Sequence, residues 1–559
     1  MNRKLCVIAA AGAVLALSSC GKKLGQFSSD YFTVNPNPLE VVGEKVPATV
    51  SARVPAKFFV KNAEVTVTPY LVYNGTETAS QPYSFQGENV RGNAPVVSYE
   101  QGGTLTIPVS YTYVPEMAQS DLELAFNVRQ GGKQYVLPRV RVAKGVVTTA
   151  AMADAAGVTP ALAADAFQRI INEKYAADIM FLINQANIRA GELKTDAMLE
   201  LQKEIRNASA ADNRKIEEIN ISSYASPDGG YDLNRRLAEN REHNTDAFLR
   251  DQLKKDKITE FGELTSQFTA EDWAGFQELV SKSNIQDKEL ILSVLSMYKD
   301  PEEREREIRN LSNVFEQLAD NILPQLRYSR ITASVNVIGK SDEEIVNLFN
   351  TNPAALNVDE MLYAATLTDD NARRMAIYKK ATELFPDDYR TWNDLGLTQY
   401  VAGNYKDAAA NFNKAARLAP SNGEPQMNLG LIEMLNKNYG KANQLFGAAA
   451  GVNELNDALG VYYLKQGDNA AAARAFADTK SNNAALAQIL TKDYSKAKGT
   501  LAAINNPDAT TFYLMAILGA RTGNQQMLNT NLKQAVRLDS SLRDRASKDL
   551  EFADFTLPF

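Results

Sequence analysis

The chain has little of what most active sites are built from. It carries one histidine, His243, and two cysteines, Cys6 and Cys20, in 559 residues. That inventory supports neither a Cys/His zinc site nor a His-based catalytic triad. A basic excess is also missing. The formal net charge is −7, so there is no electrostatic footprint for nucleic acid. Asp, Glu, Ser and Tyr are plentiful, but no nucleophile stands beside a base at a recognisable spacing. No enzyme and no cofactor site is read from the sequence. What remains is ordinary globular material, 45% apolar and 23% charged. Its length suggests about three to four domains.

The one long apolar run is residues 5–17, after Arg3 and Lys4. It is too short to span a bilayer comfortably and reads as a targeting segment over 1–19. Leu17-Ser18-Ser19-Cys20 resembles a bacterial lipobox. The resemblance implies cleavage before Cys20, a diacylglycerol thioether on its sulfur and an acylated amine. Several acyl chains anchor stably where one would not. Cleavage also removes Cys6, so the mature chain has no intramolecular disulfide. Gly21, rather than Asp, follows the Cys, which in lipoproteins of enteric bacteria points to the outer membrane. In Bacteroidota-type lipoproteins, acidic residues after the Cys mark surface export. Here Lys22 and Lys23 stand there, which favours the periplasmic leaflet.

After a lipidated tether over 20–29, residues 30–142 read as a β-sandwich-like domain. Leu105, Ile107 and Val109 alternate with polar or turn residues, as do Leu122, Leu124, Phe126 and Val128. Gly131-Gly132 predicts a hairpin. No chemistry is read in this domain. Residues 143–170, rich in Ala, Thr and Gly, read as a linker with one helix at most.

The most informative stretch is 216–250. Ile219 and Ile221 alternate with Glu218 and Asn220, predicting a strand. The cluster Ala225-Ser226-Pro227-Asp228-Gly229-Gly230 predicts a tight turn. A helix is expected from about Asp232, a good N-cap residue. Leu233, Leu237 and Phe248 share a stripe, with Arg241 at its edge and Asn234 on the same face as Arg241. The free N–H groups of that helix N-terminus would suit an anion. Ser223 to Gly229, Asn234, Leu237 and Arg241 resemble the signature of the OmpA-like peptidoglycan-binding domain. The resemblance implies an α/β domain over 171–342. It also implies a site at Ser226, Asp228, Asn234 and Arg241 gripping the ammonium and carboxylate of diaminopimelate. Ser226 occupies the position of the family's acid, so the ammonium lacks its charged partner unless Asp228 swings in. Phe181, Ile183, Asn187 and Ile188 match the preceding strand and loop loosely. Residues 254–325 depart from the family and read as an all-helical insertion that caps or blocks the turn. Alternation at Ile331, Ala333, Val335 and Val337 predicts the closing strand.

Residues 343–550 repeat. Trp392, Leu395-Gly396, Ala408, Phe412, Ala415 and Pro420 resemble the tetratricopeptide consensus. The pattern returns 34 residues later at Leu429-Gly430, Ala442, Phe446 and Ala449. Tyr378, Ala381 and Pro386 precede it. Leu459-Gly460, Ala472 and Phe476 continue it, and 514–540 is a degenerate last repeat. The resemblance implies an all-α solenoid of four to five repeats with a groove lined by Asn393, Leu397, Tyr400, Met427, Leu431 and Met434. This mostly apolar, Met-bearing row suits a helical or hydrophobic protein segment. Alternatively, part of it packs on the chain's own neighbouring domain.

The combination resembles periplasmic lipoproteins of Bacteroidota. It implies an outer-membrane lipoprotein that faces the periplasm, docks on peptidoglycan and recruits an envelope protein through its repeats. The alternative is an assembly scaffold of an envelope complex in which peptidoglycan binding has been lost.

Overall fold

The computed structural model describes residues 23–559 except 286 and 311. The targeting segment and Cys20 lie outside the described residues. The chain forms two compact units. One joins the residues up to Ala164 with Thr368–Phe559, and the other is Asp165–Leu367.

The first unit begins with two facing sheets. One has the order Phe32–Asn35, Lys45–Val54, Gly103–Thr112. The other runs Lys133–Lys144, Ser120–Gln130, Ala63–Tyr73, Tyr83–Gly87, Val96–Val97, with Thr76–Ala79 paired to Ala63–Tyr73. The alternation seen in the sequence sets which side chains face inward: Leu105, Ile107 and Val109 meet Leu122, Leu124 and Phe126 in one core. Lys133 pairs with Gln130 across the Gly131-Gly132 turn, where both glycines have positive φ, a conformation that side chains resist. The hairpin lies where the sequence predicts it.

The stretch 143–170, read as a linker with one helix at most, holds no α-helix. A strand, Val146–Val147, and one 3-10 turn, Thr149–Met152, lead into residues 153–168, which have no regular secondary structure. The next strand already starts at Ile170.

The unit's second part is a row of five helix pairs. They are Tyr389–Val401 with Tyr405–Leu418, Gly423–Leu435 with Tyr439–Gly447, and Leu455–Gln466 with Asn469–Phe476. Asn482–Leu490 with Tyr494–Ala502 and Ala509–Arg521 with Gln525–Leu538 complete the row. The fourth pair is not in the sequence reading. Its helices are only nine residues long, and Leu501 rather than a phenylalanine fills its core. Gly396, Gly430 and Gly460 each lie against a phenylalanine of their own pair: Phe412, Phe446 and Phe476. A β-carbon on Gly396 would sit 2.7 Å from Phe412 Cε1, so only glycine permits this helix approach.

The second unit is a four-stranded sheet in the order Ile170–Met180, Tyr328–Ile338, Arg214–Tyr224, Glu263–Thr269. The first two pairs are antiparallel and the last pair is parallel. Helices Asp196–Ala210 and Tyr231–Lys255 contribute Met198, Leu201, Ile205, Leu249 and Leu253 to one core with Ile219, Ile221, Ile331 and Val335.

Residues 254–325 are not all helix, since Glu263–Thr269 is the parallel edge strand. It was hidden because it has no buried residue and hence no apolar alternation. The remaining helices of that stretch close a small core of their own around Phe276, Val280, Ile291 and Leu318. Helices Asp342–Thr351 and Val358–Thr366 belong to this unit, so the repeats' unit resumes only at Thr368.

Candidate functional site

The predicted turn connects strand Arg214–Tyr224 to helix Tyr231–Lys255. The helix is capped at Gly230 without a side-chain bond, and Asp232 lies inside its first turn. The buried stripe of this helix is Asn234, Ala238, Arg241, Thr245, Leu249 and Leu253, whereas Leu233 is exposed. Arg241 therefore lies at the centre of the buried face, not at the edge of a leucine stripe. It is 1% exposed. His243 is exposed on the same helix.

Arg241 is spent on the backbone. Its Nε donates to the Gln185 carbonyl at 3.0 Å and its Nη1 to the Tyr224 carbonyl at 2.8 Å. Nη2 lies 3.5 Å from the Leu182 carbonyl, and the guanidinium stacks 5.1 Å over Phe181. Burial, with Arg327 nearby, pushes its pKa down to about 10, against the pull of Asp228. It stays charged at neutral pH and ties the 182–185 loop to the end of the central strand.

Asp228 does turn toward Ser226, whose hydroxyl donates to it at 2.8 Å. The carboxylate is already neutralised, however. Arg327 Nη2 donates to Asp228 Oδ2 at 2.6 Å, and its Nε donates to Ser226 Oγ at 3.0 Å. Asn234 donates to the Gly229 carbonyl at 2.6 Å and to Glu271 at 3.2 Å. Arg309, from helix Pro301–Asn310, donates to the Asp228 carbonyl at 3.2 Å. The insertion thus reaches the turn. Beside it, burial together with Glu271 and Asp228 holds the Glu305 carboxyl above its usual range, with Arg309 opposing. The structure brings Ser226, Asp228 and Asn234 together and adds Arg327 and Glu271. Nothing in the pattern around Arg327 marks it in the sequence.

The second candidate is the inner face of the repeats. Asn393, Tyr400, Met427, Leu431 and Met434 are fully or almost fully buried, and Leu397 is buried as well. The groove is occupied by the chain's own residues 153–163. Ala153, Ala155, Val158 and Ala161 share one core with Tyr400, Met427, Leu431 and Met434. The expectation of a groove open to a partner is corrected to the alternative, packing against a neighbouring part of the same chain. The contacts are polar as well as apolar. Asn428 accepts from the Ala161 N–H at 2.7 Å and donates to its carbonyl at 2.8 Å. Asn393 donates to the same carbonyl at 2.9 Å, and Asp394 accepts from the Ala163 N–H at 2.9 Å. The Tyr400 hydroxyl donates to the Ala155 carbonyl at 2.8 Å. Asn483 accepts from the Asp154 N–H at 2.9 Å and donates to its carbonyl at 2.8 Å.

Of these, Asn428, Asp394 and Asn483 were missed by sequence reading. Asn393 and Asn428 sit in successive first helices, and that recurrence is the available signal. Burial pushes the Asp394 carboxyl up to about 8, against its bonds from Ala163 and Asn393. Its Oδ2 is buried with no hydrogen-bond partner among the described residues.

The sandwich also meets the repeats directly. Glu44 takes Lys437 and the Tyr439 hydroxyl, each at 3.0 Å, with Lys465 at 3.7 Å. Burial raises the Glu44 pKa, but these three partners outweigh it and hold the carboxyl below its usual range.

Comparison with known proteins follows the repeats. A sequence profile of the tetratricopeptide repeat family matches residues 376–423 and 393–452. No curated protein is significantly similar to the chain. Among solved structures, a tetratricopeptide repeat protein from Parabacteroides merdae is 13% identical. The match covers 44% of this chain and 98% of that one, with a TM-score of 0.30. PilF of Pseudomonas aeruginosa is 16% identical over 37% of this chain and all of that one, with a TM-score of 0.28. YrrB, described as a tetratricopeptide protein with an unusual peptide-binding site, is 21% identical over 37% of this chain and all of that one, at a TM-score of 0.19. The match to the tetratricopeptide repeat family takes in the first two helix pairs, Tyr389–Leu418 and Gly423–Gly447.

Proposed function

We propose that the protein is a non-enzymatic scaffold of the bacterial envelope, lipid-anchored through Cys20 to the outer membrane and facing the periplasm. In this reading the α/β unit keeps an OmpA-like fold whose ligand turn has been closed. Tetratricopeptide repeats are protein-interaction modules, so the protein partner is assigned to that part of the chain. The observation that carries the choice between scaffold and wall tether is the state of the two expected ligand groups. Arg241 is buried on backbone carbonyls, and Asp228 is paired with Arg327. Gripping a diaminopimelate would require both to give up internal partners. Each bond to a charged group is worth about 1.5–3 kcal/mol, which is one to two decades of affinity.

Sedimentation with purified peptidoglycan tests this. The mature protein is expected to remain in the supernatant, and Arg327→Ala, which frees Asp228, is the variant to compare. Wild-type protein that pellets with the wall, and loses this on Asp228→Ala, would restore the tether reading. The anchor is tested separately. Wild-type protein should partition with membranes and Cys20→Ala should not. Equal partitioning would remove the anchor.

A further inference from the structure

We propose that the end of the sandwich at which Leu24 enters is a membrane-facing surface that lies on anionic phospholipid headgroups. This rests on the reading of Cys20 as a lipid anchor and deepens it, because it names the face of the protein that meets the bilayer.

The chain is already packed at Leu24. Leu24 and Phe27 are 3% and 4% exposed. The Leu24 N–H donates to the Tyr135 hydroxyl at 3.2 Å. The Phe27 ring stacks on Phe126 at 4.5 Å, with Phe58 edge-on at 5.0 Å. The tether expected over 20–29 is therefore no longer than residues 20–23. Four residue steps reach at most about 14 Å. A lipid on Cys20 thus holds Leu24 and its surroundings close to the headgroups. Charges beside Leu24 can then settle within a Debye length, about 8 Å at physiological salt, where an anionic surface is felt.

Both sheets end at this rim. Val54 pairs with Gly103 in one sheet, and Ala63 with Gln130 in the other. A β-carbon on Gly103 would stand 3.5 Å from Val97 of the facing sheet, so the two ends adjoin. The loops there carry Lys57, Lys61, Arg91 and Lys133, all exposed, and exposed Lys23 precedes Leu24. The exposed acids at the same end are Asp30, Glu88 and Glu100. Glu88 is already held by Lys61 at 3.5 Å and by Ser98 at 2.8 Å. The chain as a whole carries −7, so a basic excess at this rim runs against its composition. Each Lys or Arg beside an anionic membrane is worth roughly fivefold in binding.

The opposite end of the sandwich is committed. Glu44, just before strand Lys45–Val54, takes Lys437 and Tyr439 of the repeats. The ten residues of that strand put roughly 30 Å between this contact and the rim. The repeats are carried about that far from the rim, on the side away from the bilayer.

The test uses the full mature chain, whose one thiol is Cys20 once Cys6 has been removed with the targeting segment. The thiol is coupled to a maleimide-bearing lipid in vesicles of phosphatidylcholine, with or without phosphatidylglycerol. Amide hydrogen exchange at residues 57–61 and 131–133 is expected to slow at least threefold on the anionic vesicles relative to the neutral ones. The Asn74-Gly75 turn, at the other end of the sandwich, should not change. Lys57→Glu with Lys61→Glu and Lys133→Glu should abolish the difference. Equal exchange on the two kinds of vesicle would overturn the proposal, and so would a slowing that survives the three reversals. Raised salt is the check that needs no substitution, and slowing that persists in it would also overturn the proposal. The anchor reading fails on a different result, equal membrane partitioning of wild type and Cys20→Ala in cells. The chemically coupled chain reports on the rim in either case.

Discussion

Arg327 grips Asp228 at 2.6 Å from the residue just before the closing strand, and both side chains are mostly buried. The pair locks the 225–230 turn to the entry of the neighbouring strand, Tyr328–Ile338. Breaking a buried pair from one side leaves an uncompensated charge, at a cost of about 3–5 kcal/mol for full burial. Arg327→Ala is expected to destabilise the α/β unit toward the lower end of that range, read as a shift in urea midpoint. Replacing both partners, as Arg327→Met with Asp228→Asn, should recover much of it.

Arg241 makes its own prediction. Its donors satisfy backbone carbonyls of a loop and a strand end. Arg241→Ala should cost about 3 kcal/mol or more through buried carbonyls left bare and lost packing on Phe181. Arg241→Lys should rescue little, because one ammonium cannot span the same fork of acceptors. Thermal unfolding of the two variants checks this. A variant that loses only wall binding and keeps full stability would contradict it.

Gly396→Ala drives a methyl group into the Phe412 ring. Overpacking of this kind costs about 1–3 kcal/mol. Gly440→Ala is the control, because nothing lies within 4 Å of a β-carbon there and the residue is inside a helix. It should be neutral or stabilising by up to about 1 kcal/mol. Equal effects at the two sites would refute the close-packing argument.

Asp394 gives the repeats a pH dependence. Its carboxyl is raised to about 8 in the folded chain from an ordinary value near 4 when unfolded. The folded state therefore holds a proton that the unfolded state has lost between those values. Stability contributed by this group is present below about pH 4 and is lost as pH rises toward 8. Arg390 on the same helix opposes the shift, and Glu424 on the next adds to it. Asp394→Asn keeps an acceptor for the Ala163 N–H and removes the titration. Melting temperature measured from pH 5 to 8 should fall less steeply in the variant than in wild type.

What was legible in the sequence was whatever depends on side-chain size and alternation. Gly396, Phe412 and their repeats announce helix pairs because no other residues fit those contacts. Leu122, Leu124 and Phe126 announce a strand because they alternate. The edge strand Glu263–Thr269 has one face in solvent and little apolar material on the other, so it carried no signal. The burial of Arg241 was illegible because a polar stripe of Asn234, Arg241 and Thr245 reads as a wet helix face. The segment 153–163 was hidden for a related reason. Asn428 and Asn483 hold its backbone, and backbone recognition leaves mostly small residues behind, which read as a linker.

The partners of residues 153–163 lie across a long gap in the chain. Everything that holds them, from Asn393 to Asn483, follows the Asp165–Leu367 unit. At about 5–20 residues per second, synthesis of those roughly 200 intervening residues takes on the order of 10–40 s. Through that interval the sandwich can close and the α/β unit can fold, but the segment between them has nothing to bind. Maturation of this protein thus ends with a late stitch, made only when the fourth helix pair arrives. Until then a nascent chain carries an unpaired, alanine-rich stretch open to chaperones and proteases.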